Sequence, residues 1–243
     1  MGETVIIIPA RYDSTRLKGK PLIEVKNKPI IQWVYEKAIK SKLADRVIIA
    51  TDNEEIYKTA LGFGAEAEMT STTHTSGSDR IAEVVLRHPE ISYVVNLQGD
   101  EPLITSESID EVIKGVKNDG ADISTLVRIL KDKKDIENPN CVKCVMDNNG
   151  YALYFSRSKI PFERNEGHTP IYGHLGIYGY TRDALLKMTT MPQSTLELAE
   201  SLEQLRALQA GMKIKTFTVD FVPVGIDTKE DLAEFERIVT QKI

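Results

Sequence analysis

Thr4-Val5-Ile6-Ile7-Ile8 is an unbroken β-branched run, followed at once by Pro9-Ala10-Arg11. A strand with one wet face alternates apolar and polar residues. A continuous run instead predicts a strand covered on both faces, the environment of a parallel sheet between helix layers. Pro9 ends the run. Parallel neighbours need long crossovers, so the chain beyond should alternate helix and strand.

The spacing bears this out as far as about residue 130. Ile30, Ile31, Val34, Ala38 and Ile39 recur at helical intervals behind Pro29, which suits a first helical position. Arg46 to Ala50 reads as a second buried strand. A helix over 53–62, a short extended segment over 65–69, a helix over 78–87 and a strand over 93–97 follow. A helix over 106–117 and a strand over 123–127 complete this run of βα units.

After Pro139 the pattern changes. Val142–Met146 and Tyr151–Phe155 flank Asp147-Asn148-Asn149-Gly150, a hairpin signal. Ile171–Tyr180 is again extended and rich in Gly and Tyr. Alternation returns with a helix over 195–210 closed by Gly211, a strand over 214–219 and a helix over 229–239. The fold class is α/β: a mostly parallel sheet flanked by helices, in one domain over 1–243 with an antiparallel insertion at 139–180.

Composition narrows the function. The 243 residues are 41% hydrophobic and 28% charged, with net charge −5, which excludes disorder and offers no broad basic face for nucleic acid. No apolar stretch approaches the roughly 20 residues of a membrane span, and the N-terminus lacks a signal-peptide layout. With only Cys141 and Cys144, a cytoplasmic protein with reduced thiols is expected. Their spacing imitates a redox or zinc motif, but it lies in a strand before an Asn-Gly turn.

Against that acidic background Arg11, Arg16, Lys18 and Lys20 face Asp13 alone, in a loop directly after the first strand. Ligands of open α/β sheets sit at the carboxyl ends of strands, and four cations there can neutralise a triphosphate. A solvated surface loop is the plainer alternative. The loop is neither a P-loop nor a dinucleotide fingerprint. Asp100 follows another strand, and Asp227 follows Pro223-Val224-Gly225-Ile226. Two carboxylates suit Mg2+, which keeps water and phosphate for its other positions; Asp227, just before a helix, could equally be its cap. Ser76-Gly77-Ser78-Asp79 is likewise both a good helix cap and a set of N–H groups able to meet a nucleotide.

Pro9-Ala10-Arg11, Ser14-Thr15-Arg16-Leu17 and Gly19-Lys20-Pro21-Leu22 together resemble the signature loop of the sugar-acid cytidylyltransferases. Ala50-Thr51-Asp52, His74 to Arg80, Asn96 to Pro102, Tyr154 to Arg157, His174 to Tyr180 and Leu202 to Arg206 resemble that family in order. The resemblance spans nearly the whole chain. Lys18 stands where the family usually has Pro, and Ser78 where Thr is common.

The resemblance implies a Rossmann-like nucleotidyltransferase sheet and transfer of CMP from CTP to the anomeric hydroxyl of a 2-keto sugar acid. The acid is 3-deoxy-D-manno-octulosonate (Kdo), or alternatively another such as sialic acid. It implies that Arg11, Arg16 and Lys20 hold the triphosphate and that Asp100 and Asp227 hold Mg2+. Ala10, Ser76, Gly77 and Arg80 would hold cytosine and ribose. Gln98, Arg157, His174, Tyr178, Glu203 and Gln204 would surround the sugar acid, with Arg164 a further cation. It also implies a homodimer built through the antiparallel excursion. A glycosyltransferase of similar architecture would more naturally carry Asp-X-Asp at a strand end, which Asp100-Glu101-Pro102 is not. A nucleotide-sensing module without turnover is the other alternative.

Overall fold

The computed structural model describes residues 2–13, 17–165, 167–220 and 225–241, and the chain forms two compact units, 1–110 with 223–243, and 111–222. The first unit opens with β1 (Glu3–Ala10), a 3-10 turn (Lys20–Leu22) and the small hairpin of β2 (Glu24–Val25) and β3 (Lys28–Pro29). There follow α1 (Ile30–Ala38), β4 (Arg46–Thr51), α2 (Glu54–Gly62), β5 (Glu66–Met69), α3 (Gly77–Arg87) and β6 (Ile91–Asn96). Helix α4 (Ser106–Lys117) carries the chain from one unit to the other.

In the first unit the order is β6-β1-β4-β5, every pairing parallel. Val5, Ile6, Ile7 and Ile8 are all 0% exposed, as their unbroken apolar run requires. Strand β1 stops at Ala10, β4 at Thr51 and β6 at Asn96, so their carboxyl ends open on one edge of the sheet.

The second unit contains β7 (Ile123–Leu130), α5 (Lys133–Glu137), β8 (Lys143–Met146), β9 (Ala152–Ser156) and β10 (Ile171–Thr181). It continues with α6 (Arg182–Thr190), α7 (Thr195–Glu200), α8 (Gln204–Gln209) and β11 (Ile214–Thr218). Strand β7 pairs in parallel with β11 and antiparallel with β10, while β8 pairs antiparallel with β10 and β9. The β8–β9 turn is built by Asp147, whose Oδ1 accepts the N–H groups of Asn149 and Tyr151, both at 2.8 Å, and Gly150 supplies the positive φ. Strand β10 carries a register shift between Leu175 and Tyr178. Helix α9 (Lys229–Gln241) returns to the first unit, where Phe235 packs edge-on to Trp33 with centroids 5.6 Å apart.

One expected element is different. The helix read over 195–210 is two helices, because Ser201 adopts a left-handed conformation (φ 52°) after α7. Arg157, at the end of β9, donates from Nε to the Glu200 carbonyl at 2.7 Å and from Nη2 to the Ser201 carbonyl at 3.2 Å. Those carbonyls would otherwise end the helix unpartnered, and basic side chains commonly close helices in this way. Glu197 and Glu200, in α7, are therefore on a different helix from Gln204, in α8. Glu197 instead turns onto Arg206 at 2.5 Å. Helices α5 and α6 were not anticipated; the buried stripe of α6, Ala184, Leu185 and Met188, is little more than one turn long.

Candidate active site

Three charged side chains meet beyond the carboxyl ends of β1 and β6. Lys20 Nζ donates to Asp100 Oδ2 at 2.6 Å and to Asp227 Oδ1 at 3.0 Å. Gly19 starts the turn carrying Lys20 at φ 67°, with the Tyr12 ring against the place a side chain would fill. Gly99 lets the next loop approach, since a Cβ there would lie 3.1 Å from the Pro9 carbonyl. Asp227 arrives because Ile226 N donates to the Asp100 carbonyl at 3.0 Å, and buried Ile226 joins the core with Leu17, Val25, Ile30 and Phe235. The cap of α9 falls to Thr228 and Asp231, which exchange Thr228 N to Asp231 Oδ2 at 2.8 Å and Asp231 N to Thr228 Oγ1 at 3.2 Å. Capping thus leaves the Asp227 carboxylate available to Lys20.

Burial by itself pulls the Lys20 ammonium down, but Asp100 and Asp227 outweigh it and the net shift is upward. Glu101 behaves oppositely: burial, reinforced by the charges of Asp100 and Asp227, pushes its carboxyl up to about 8. Its Oε2 is buried without a hydrogen-bond partner among the described residues. Sequence reading passed over Glu101, although its place in Asp100-Glu101-Pro102 was visible.

A cavity of about 200 Å³ opens on the same side of this unit, with Ala10, Arg11, Ser76, Gly77, Arg80 and Gln98 on its wall. All four residues expected to hold cytosine and ribose are therefore brought together, beside Arg11. Gln98, expected near the sugar, lies on this wall, its Nε2 donating to Asn96 Oδ1 at 3.1 Å. Pro9, His74 and Thr75 complete the lining; all three fall in segments the sequence had marked. Arg80 is 3% exposed and pairs with Asp52 at 2.6 Å. Arg16 lies outside the described residues.

The second unit gathers the remaining candidates. His174 and Tyr178, on either side of the β10 register shift, have ring centroids 5.3 Å apart, and His174 meets Thr125 Oγ1 at 3.1 Å. Burial pushes His174 down to about 3, and burial, Tyr180 and Glu203 together raise Tyr178. Gln204 is 6% exposed and its Nε2 is buried without a hydrogen-bond partner among the described residues. Arg157 is turned onto main-chain carbonyls, those of Glu200 and Ser201 and that of Pro139 at 3.2 Å. Arg164 is exposed in the loop before β10. Cys141 and Cys144 are both free, and burial pushes the Cys144 thiol up to about 12, far from a reactive thiolate.

Among the described residues no three His, Cys, Asp or Glu side chains are placed to hold a metal. Asp100 and Asp227 nevertheless aim hard oxygens at one cation, the Lys20 ammonium, so the pair fits an ion such as Mg2+ that completes its shell with phosphate and water. No helix among the described residues is long and apolar enough to cross a membrane.

A parallel sheet with an open cavity, and a lysine and two carboxylates meeting beyond its strand ends, suits a nucleotidyltransferase architecture. The family model described as "Cytidylyltransferase" matches residues 5–214, and the chain belongs to that family. The 3-deoxy-manno-octulosonate cytidylyltransferase of Thermodesulfovibrio yellowstonii is 50% identical, covering 96% of this chain and 97% of that protein. Its counterpart of the same name in Fusobacterium nucleatum is 48% identical over 94% of this chain and 93% of its own. The solved structure of CMP:2-keto-3-deoxy-manno-octonic acid synthetase complexed with CTP superposes with a TM-score of 0.95 at 39% identity, covering 99% of this chain and 100% of that one.

Proposed function

We propose that the protein transfers the cytidylyl group of CTP to the anomeric hydroxyl of Kdo, forming CMP-Kdo and pyrophosphate and so activating the sugar acid for lipopolysaccharide assembly. The observation that carries this is the convergence of Lys20, Asp100 and Asp227 in the unit whose cavity is walled by Ala10, Arg11, Ser76, Gly77 and Arg80. The names of the relatives and the CTP complex of the structural neighbour support the choice of substrates.

In the reaction the sugar oxygen attacks the α-phosphorus and the bond from that phosphorus to the bridging oxygen breaks. Pyrophosphate leaves with the bonding electrons, and the hydroxyl proton is given up to solvent or a nearby base. Such transfers are catalysed mainly by positioning and charge neutralisation. Arg11 and Lys20 supply positive charge to the triphosphate and to the leaving pyrophosphate, with Arg16 as a third cation. Asp100 and Asp227 would hold Mg2+, whose chemistry is to polarise phosphoryl oxygens and favour ionisation of a nearby hydroxyl. Lys20, held between them in the free protein, is placed to exchange a carboxylate for a phosphate oxygen. On the sugar side Gln204 offers its unpartnered N–H, His174, Tyr178 and Glu203 offer hydroxyl partners, and Arg157 retains guanidinium donors for a carboxylate. A homodimer working in the cytoplasm completes the reading.

The test is a pyrophosphate-release screen of nucleoside triphosphates against sugar acids with Mg2+. Release with CTP and Kdo is expected. Release with sialic acid and none with Kdo overturns the acceptor, and release of a nucleoside diphosphate overturns the reaction.

A further inference from the structure

The loop between β5 and α3 is pinned by the helix that follows it. Ser76 Oγ accepts Asp79 N at 3.1 Å, and Thr75 Oγ1 donates to Asp79 Oδ2 at 3.3 Å. Arg80 donates from Nη1 to Thr70 Oγ1 at 2.5 Å and to the Ser71 carbonyl at 3.4 Å. Glu83, one turn further on the same side of α3, accepts Ser71 N at Oε2 at 2.9 Å. The same oxygen meets Nε2 of His74, while Oε1 meets Arg87. Of this strapped loop, His74 to Ser76 line the cavity.

The Glu83–His74 contact has a chemical consequence for the cavity wall. Burial raises the Glu83 carboxyl, but the Ser71 N–H, His74 and Arg87 outweigh it and hold it below the usual carboxylate range. An ionised carboxylate only accepts hydrogen bonds, so the hydrogen of the contact sits on His74 Nε2. In the imidazole form Nδ1 is then an acceptor, and it has no hydrogen-bond partner among the described residues. Cytosine carries an exocyclic amino donor where uracil carries a carbonyl acceptor. An acceptor on the wall favours the first and repels the second.

We propose that Glu83 is a positioning residue for nucleobase choice: by holding His74 as its Nε2–H tautomer, it keeps Nδ1 an acceptor for the exocyclic amino group of a cytosine-type base. This rests on the reading of the cavity as a nucleotide site. Glu83→Met keeps a side chain of similar length but removes the oxygen that accepts the ring hydrogen, so the ring is no longer held as one tautomer. His74→Leu removes the ring altogether.

The test has two readouts on the full chain at pH 8. Long-range nitrogen–proton NMR, tractable with four histidines, should show His74 as the Nε2–H tautomer and a mixture of both tautomers in Glu83→Met. Calorimetric titration should show CTP binding more tightly than UTP, with the affinity ratio falling in Glu83→Met and falling at least tenfold in His74→Leu. An Nδ1–H tautomer in the unsubstituted protein, a tautomer indifferent to Glu83→Met, or equal loss of CTP and UTP affinity in both variants overturns the proposal. The equal loss would mean that the strap only keeps the loop folded. Failure of the wider functional reading has a different signature: no pyrophosphate from any pair of substrates while the CTP preference and its dependence on Glu83 persist.

Discussion

Asp227 and Thr228 are neighbours with separable duties. Thr228 shares the α9 cap with Asp231, and Asp227 turns to Lys20. Thr228→Ala should lower stability by about 1 kcal/mol, the usual worth of such a cap, and leave pyrophosphate release within twofold. Asp227→Asn should do the reverse. Its half-exposed ion pair is worth no more than about 1 kcal/mol, while kcat/KM should fall at least a hundredfold; thermal melts beside the release assay read both. The opposite pattern would return Asp227 to the role of a helix cap. His174 makes a pH-dependent contribution. Folded, it is pushed down to about 3, against about 6.5 in an unfolded chain. Below that ordinary value the unfolded chain gains a proton that the folded one refuses, so stability present above pH 6.5 is lost as pH falls toward 3. Between pH 7 and 5 the loss through this one ring is about 2 kcal/mol. Urea unfolding at the two pH values should show a drop smaller by that amount in His174→Gln.

At the scale of elements, what could be read from sequence depended on whether the cause was local. Strand β1 was legible because an apolar run of β-branched residues is its own signal, and the β8–β9 turn because Asp147 and Gly150 make it from within. The break between α7 and α8 was not legible, since Leu198, Leu202, Leu205 and Leu208 continue a helical stripe straight through it. Its partner, Arg157, lies 43 positions before Glu200. The site divides in the same way. Lys20 and Asp100 announced themselves as charges at strand ends, whereas Glu83 and Glu101 gain their significance only from neighbours brought in by folding. Arg157→Met tests the distant cause. With the Glu200 and Ser201 carbonyls left without their donor, a cost of about 1–3 kcal/mol is expected. Hydrogen exchange should quicken over residues 198–206 and remain unchanged in β1, β4 and β6. Uniform quickening across both units would show that Arg157 supports the whole fold instead of that corner.

For the whole molecule, the proposed dimer gives the exposed apolar groups of the antiparallel excursion a partner. Among the described pairings β9 is bonded to β8 alone, and on it Leu153 is 62% exposed. Phe162, a few residues beyond, is 89% exposed. Isolated exposed apolar residues are ordinary, but an edge strand bearing one is usually shortened, charged or covered. Lys143, which could have blunted this hairpin as a surface charge, is instead 1% exposed, its Nζ sealed among the carbonyls of Asn138, Cys141 and Arg157 at 2.6–2.9 Å. The excursion thus spends its lysine on internal order and leaves Leu153 and Phe162 outside. Light scattering of the free protein should give twice the chain mass. Leu153→Lys combined with Phe162→Asp should halve it without lowering the melting temperature of the monomer, because neither side chain supports the core of its own chain. A single chain mass for the unsubstituted protein overturns the dimer, and a dimer untouched by both substitutions places its interface elsewhere.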